Sequence, residues 1–91
     1  MRAGRRLGKR DSNEKIIVDA LRKCGVKVHH VSAKGFADLI AYTKTRGIVL
    51  LEVKGKRGTL TPAQVEYRDD GWPVVIVRSA ADALAACGVT T

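Results

Sequence analysis

Glu52 and Lys54 close the apolar run Ile48-Val49-Leu50-Leu51 near the middle of the chain. Strand residues alternate between faces, so Ile48, Leu50, Glu52 and Lys54 share one side, and Val49, Leu51 and Val53 the other. A second apolar run, Phe36 to Tyr42, carries Asp38. Folding the two runs into a hairpin about Thr45 sets Tyr42 opposite Ile48, Ile40 opposite Leu50 and Asp38 opposite Glu52. In that register the two carboxylates face each other at about 4.5–5.5 Å between Cβ atoms. Like charges so placed destabilise a sheet unless a cation lies between them. Oxygen donors without His or Cys suit a hard ion, Mg²⁺ or Mn²⁺. Such an ion beside a lysine suits phosphodiester hydrolysis, because it polarises a phosphate oxygen and lowers the pKa of a coordinated water. Lys54 would neutralise charge developing on the phosphate; service as a general base would require a strongly depressed pKa. Singly, Asp38, Glu52 and Lys54 read as ordinary strand-end charges. Their joint placement points to catalysis.

The elements that must position these residues follow from local signals. Asp11 or Ser12 is placed to cap a first helix, with Glu14 able to close a capping box onto Asp11. Ile17, Val18, Leu21 and Cys24 recur at helical spacing, and Gly25 ends the helix. Val26 to Val31 reads as a short strand and Lys34-Gly35 as a turn. The strands Phe36 to Tyr42 and Ile48 to Lys54 form a hairpin around Thr43 to Gly47. Gly55 to Gly58 is a basic connection. Thr61-Pro62-Ala63-Gln64 is a helix start, with Thr61 the cap, Pro62 at the first position and Gln64 completing a capping box. That helix stops at Gly71. Pro73 to Val77, all apolar, reads as a strand buried on both faces, and Ser79 caps a last helix ending near Cys87-Gly88. The order αβββαβα describes an α/β fold whose central mixed four-stranded sheet is flanked by helices, with the last two strands parallel.

At 91 residues the chain is one domain, preceded by a flexible basic arm over residues 1–10 and occupying 11–91. The formal charge of +8, from 17 Lys and Arg against 9 Asp and Glu, favours a polyanionic partner; a ribosome-like basic surface is the alternative. Cys24 and Cys87 show no zinc spacing and imply no disulfide framework, which fits a reducing compartment. No segment reads as membrane-spanning or as a signal peptide.

Three blocks, Gly35-Phe36-Ala37-Asp38-Leu39, Glu52-Val53-Lys54 and Leu60-Thr61-Pro62-Ala63-Gln64, resemble the VRR-NUC family of virus-type replication-repair nucleases. That family belongs to the PD-(D/E)XK nuclease superfamily, whose αβββαβ core agrees with the order above. The resemblance runs from about Asn13 to Leu84. Ala37 stands where the family usually has proline, a position that shapes backbone and supplies no ligand. The resemblance implies that Asp38 and Glu52 bind metal with the Val53 carbonyl as a further ligand, that Lys54 is catalytic, and that Gln64 lies beside the site. It also places Glu14, on the first helix, toward the metal. Capping explains Gln64 and Glu14 as well. Lys56 and Arg57, just past Lys54, are candidates for gripping phosphate, and Lys34 is a weaker one. His29 and His30 read as packing or surface histidines, and Tyr67 and Trp72 as core or interface residues rather than base-stacking ones.

The resemblance implies a Mg²⁺- or Mn²⁺-dependent DNA endonuclease, selective for Holliday junctions or other branched DNA and working in replication, recombination or repair. It implies a homodimer in the cytoplasm of a bacterium or phage-infected host. The competing readings are a catalytically silent nucleic-acid-binding module and an RNA endonuclease.

Overall fold

The computed structural model describes residues 2–31 and 36–89. In chain order the elements are α1 (Arg2–Lys23), β1 (Lys27–His30), β2 (Leu39–Thr43), β3 (Gly47–Val53), α2 (Pro62–Asp69), β4 (Val74–Val77) and α3 (Ala80–Ala86). The order αβββαβα is the one expected from the sequence.

Helix α1 begins at Arg2 rather than at Asp11 or Ser12. Residues 2–10 are mostly Arg, Lys, Ala and Leu, strong helix formers; Gly4 and Gly8 oppose a helix, but there is no proline to halt the turn. The helix therefore crosses from residues 1–10 into 11–91, and Asp11 marks no N-terminus for Glu14 to cap. Its other end closes as foreseen. Gly25 takes φ +83°, the Val26 amide donates to the Leu21 carbonyl and the Gly25 amide to that of Arg22, both at 3.0 Å. This is a Schellman closure, and it buries Val26 beside Leu21.

The sheet order is β1-β2-β3-β4. Strands β1, β2 and β3 are antiparallel neighbours, and β4 runs parallel to β3. The hairpin pairs Tyr42 with Ile48 and Ile40 with Leu50, the register obtained by folding about Thr45. The turn is tighter than expected: Thr43 and Gly47 belong to the strands, leaving residues 44–46 as the loop.

The core lies on one face of the sheet. Ile17, Val18 and Leu21 of α1 and Ala83 of α3 cover Leu39, Ala41, Leu51, Val53 and Val77. On the opposite face, α2 contributes no fully buried residue. Strand β4 departs from its expected burial on both faces, since Val75 and Ile76 remain 40% and 37% exposed. Its position at the sheet edge beside an incompletely covered face is the reason; an apolar run reports tolerance of burial, not the presence of a cover. Cys24 is exposed and Cys87 buried, both as free thiols. Among the described residues no helix is long and apolar enough to cross a membrane.

Leu51 is fully buried between the helical layer and the strands flanking β3. Leu51→Ala should lower unfolding stability by about 2–5 kcal/mol, read as a fall in the urea midpoint at unchanged slope.

Candidate active site

The site is assembled where β3 ends. Regular pairing of β2 with β3 stops at Leu39 and Leu51, because the Asp38 amide also turns to the Leu51 carbonyl, at 2.9 Å, while the Asp38 carbonyl accepts from Val31 at 2.8 Å. The Asp38 side chain then does what a main-chain acceptor would have done: its Oδ2 accepts the Val53 amide at 2.8 Å. This explains why β2 starts at Leu39 and not at Phe36, and it fixes the Asp38 carboxyl against the end of β3.

Glu52 is 1% exposed, a costly place for a carboxylate without partners. Its Oε2 receives Gln64 Nε2 at 2.6 Å and lies 3.5 Å from Lys54 Nζ. Burial, followed by the negative charge of Asp38, pushes Glu52 up to about 7, against the pull of Lys54; a hydrogen bond between the two carboxyls acts in the same direction as burial. Asp38 and Glu52 thus meet as the sequence argument required, through an irregular strand end rather than a regular ladder pair.

Lys54 is held from three sides. Its amide donates to the Val77 carbonyl at 3.0 Å, its carbonyl accepts from Asn13 Nδ2 of α1 at 3.2 Å, and its stem runs along Gly58. A Cβ added to Gly58 would lie 3.3 Å from both Cβ and Cδ of Lys54, so a larger residue there would have to displace the Lys54 stem by a few tenths of an ångström.

Gln64 resolves its two readings by serving both. The Thr61 hydroxyl accepts the Gln64 amide at 3.2 Å, and Gln64 Oε1 accepts the Thr61 amide at 2.8 Å, which is the capping box. The other end of the same side-chain amide donates to Glu52. Helix α2 and the carboxylate are therefore coupled through one side chain.

Glu14 is not brought to this pair. Its Oε2 lies 3.0 Å from His30 Nδ1, in a cleft beside Lys15, Val18 and Arg22. With α1 helical through Asp11, Glu14 stands on an interior turn next to β1, where a strand-end imidazole is within reach. Lys34 lies outside the described residues. Lys56 and Arg57 are exposed in the loop after Lys54, and Val53 is buried with its amide committed to Asp38. Tyr67 and Trp72 pack edge-on with Phe36, ring centroids 5.0 Å and 5.5 Å from it, and this trio joins α2 to the segment leading into β2.

Arg78 was not singled out from the sequence. Its Nη1 donates to the carbonyls of Gly55 and Gly58, at 2.7 and 2.8 Å, clamping the loop that carries Lys56 and Arg57. A signal existed: Val53 pairs with Val77 in a parallel ladder, so Arg78 is the next position beside Lys54. Asn13 carried no comparable signal, because its partner is a main-chain carbonyl on another element.

Among the described residues no cluster of three or more His, Cys, Asp or Glu side chains is arranged to hold a metal. The donor set at hand is the Asp38 and Glu52 carboxyls. It fits a hard divalent cation in chemistry, because the neighbouring charge that raises Glu52 is what a bound cation would offset.

Two consequences are measurable. The raised Glu52 value means that the fold favours the protonated form. That contribution is complete below pH 4.5 and is lost as pH rises through about 7. In metal-free buffer the melting temperature of the wild type should fall over this window relative to Glu52→Gln. Arg78→Ala removes two hydrogen bonds from a charged donor, each worth about 1.5–3 kcal/mol at most. It should speed exchange of the Gly58 amide, which donates to the Gly55 carbonyl, by about tenfold or more with little change in melting temperature.

The chain matches no family model, and no curated protein or solved structure matches it.

Proposed function

We propose that the chain is a divalent-metal-dependent nuclease, the activity implied by its resemblance to the VRR-NUC family within the PD-(D/E)XK superfamily. One observation carries this reading: the Asp38 and Glu52 carboxyls meet at the end of β3, with Lys54 Nζ 3.5 Å from Glu52 and Gln64 bonded to the same oxygen. Asp38 and Glu52 would hold Mg²⁺ or Mn²⁺, with the Val53 carbonyl as a further donor. When bound, such an ion supplies Lewis acidity at a phosphate oxygen and an acidified water.

The remaining work falls to the chain. Lys54, with its stem packed by Gly58 and its main chain held by Asn13 and Val77, presents a fixed ammonium group to the charge that grows on the phosphate. Gln64 orients the Glu52 carboxylate. Lys56 and Arg57, on a loop clamped by Arg78, meet backbone phosphates flanking the scissile bond. The substrate in this reading is DNA, with branched structures such as four-way junctions first in line, and the setting is replication, recombination or repair in a bacterial or phage-infected cytoplasm. A symmetric branched substrate calls for two sites, hence a homodimer.

Purified protein incubated with junction, flap, linear duplex and RNA substrates plus Mg²⁺ or Mn²⁺ should cut branched DNA, and a chelator should stop it. Asp38→Asn keeps an acceptor for the Val53 amide, so it should remove activity while the fold persists. Lys54→Ala should lower the rate by about 10²–10³-fold. Absence of cleavage on every substrate, together with salt-dependent binding indifferent to metal, would replace the nuclease by a silent binding module. Preference for RNA would change the substrate and keep the chemistry.

A further inference from the structure

The sheet face turned away from α1 and α3 is only partly covered. Val28 on β1, Ala41 on β2 and Val49 on β3 pack toward the core, so Lys27, His29, Tyr42 and Ile48, which alternate with them, lie on the other side. Lys27 pairs with Tyr42 and Tyr42 with Ile48, while His29 pairs with Ile40 in the adjoining row. Glu52 alternates with the buried Leu51 and Val53 and belongs to the same surface. Helix α2 covers this face near Glu52 and Ile76 and leaves its other end open. Ile48 is 69% exposed and Tyr42 45%, and Lys27 and His29 are exposed with them.

This open surface offers an aromatic ring beside a cation. Lys27 and Tyr42, directly opposite on paired strands, stand about 4.5–5.5 Å apart at Cβ, and Lys44 is exposed in the turn just beyond Tyr42. From Cys24 to Leu51 the sequence has no acidic residue but Asp38. Among the described residues no hydrogen bond or ion pair engages Lys27, His29 or the Tyr42 hydroxyl. A flat apolar surface bordered by free donors fits a ligand that carries both exposed rings and negative charge. A duplex hides its bases, whereas an unpaired strand presents them; aromatic side chains on an open sheet stack such bases while cations meet the phosphates. A second copy of the chain, docked through the same patch, would instead set this basic surface against itself.

We infer that the open face binds unpaired DNA. Tyr42 stacks on a base, Ile48 packs beside it, and Lys27 and His29 donate to phosphates. Four residues of extended chain separate Tyr42 from Asp38, about 13 Å, so a strand held on this face runs on to the Asp38–Glu52 pair. The inference deepens the nuclease reading by naming the part of a branched substrate that the chain grips, and rests on that reading for the strand's destination. The binding itself requires no cleavage.

Fluorescence anisotropy of a labelled single-stranded oligothymidylate, titrated with the full chain in chelator so that nothing is cut, tests it. The wild type should bind, and more weakly as salt rises. Tyr42→Ala should weaken single-strand binding about tenfold with an unchanged circular dichroism spectrum, and leave duplex binding as it was. Tyr42→Phe, which keeps the ring, should bind like the wild type. Lys27→Gln should reduce the slope of log affinity against log salt by about 0.7. Should Tyr42→Ala fail to fold, Ile48→Glu, at a largely exposed position of the same face, replaces it and should weaken binding by at least as much. No single-strand binding, binding indifferent to these substitutions, or an equal loss with Tyr42→Phe overturns the inference. So does self-association abolished by Ile48→Glu, since a second copy would then be the occupant. Single-strand binding without cleavage in Mg²⁺ or Mn²⁺ sinks only the nuclease reading. Cleavage by a chain whose single-strand binding ignores Tyr42 sinks only this one.

Discussion

A carboxylate almost wholly removed from water has to be compensated by its surroundings, and Glu52 draws that compensation from several elements at once. Gln64 donates from α2 and Lys54 approaches from just past the end of β3, while Asp38, just before β2, adds a like charge that works against them. Each contact places a constraint on an element otherwise weakly attached. Helix α2 contributes no fully buried residue, so the Gln64 bond and the Phe36–Tyr67–Trp72 trio are its main described anchors. Removing the charge at position 52 would therefore reach the placement of α2 as well as the chemistry. The raised pKa of Glu52 records the imbalance: burial first, and then the adjoining Asp38 charge, outweigh the pull of Lys54.

Much of this was legible in the sequence where the signal was local and geometric. The hairpin register follows from symmetry about Thr45, since a slip of one residue would turn Leu39, Ala41 and Leu51 to the wrong face. The start of α2 follows from Thr61-Pro62-Ala63-Gln64, whose side chains satisfy the first amides of a helix as local chemistry dictates. Other features depend on which elements meet. Glu14 has a capping role in sequence and a histidine partner in space, because whether Asp11 begins a helix is decided by residues before it. Strand β4 looks fully buried because Val and Ile suit burial, but nothing in Pro73 to Val77 encodes whether a second layer exists. Arg78 acts through main-chain carbonyls, which any sequence supplies, so only the parallel register points to it.

The two faces of the sheet divide the work. The face under α1 and α3 holds the core, and its side chains alternate with those that carry the candidate site. Glu52 and the exposed Tyr42 and Ile48 thus lie on one surface of the sheet. Stability resides on the other.

The three-residue turn over residues 44–46 lies at the far end of the hairpin from Asp38 and Glu52. Surface turns ordinarily tolerate insertions and deletions, but here loop length sets which residues of β2 face which residues of β3. One added residue would have to be absorbed as a bulge, or else it would shift Asp38 away from Glu52. An exposed turn with no chemical role is thereby subject to a length constraint imposed from the opposite end of the sheet. In any set of functional variants of this chain, residues 44–46 should vary freely in identity and hardly at all in number.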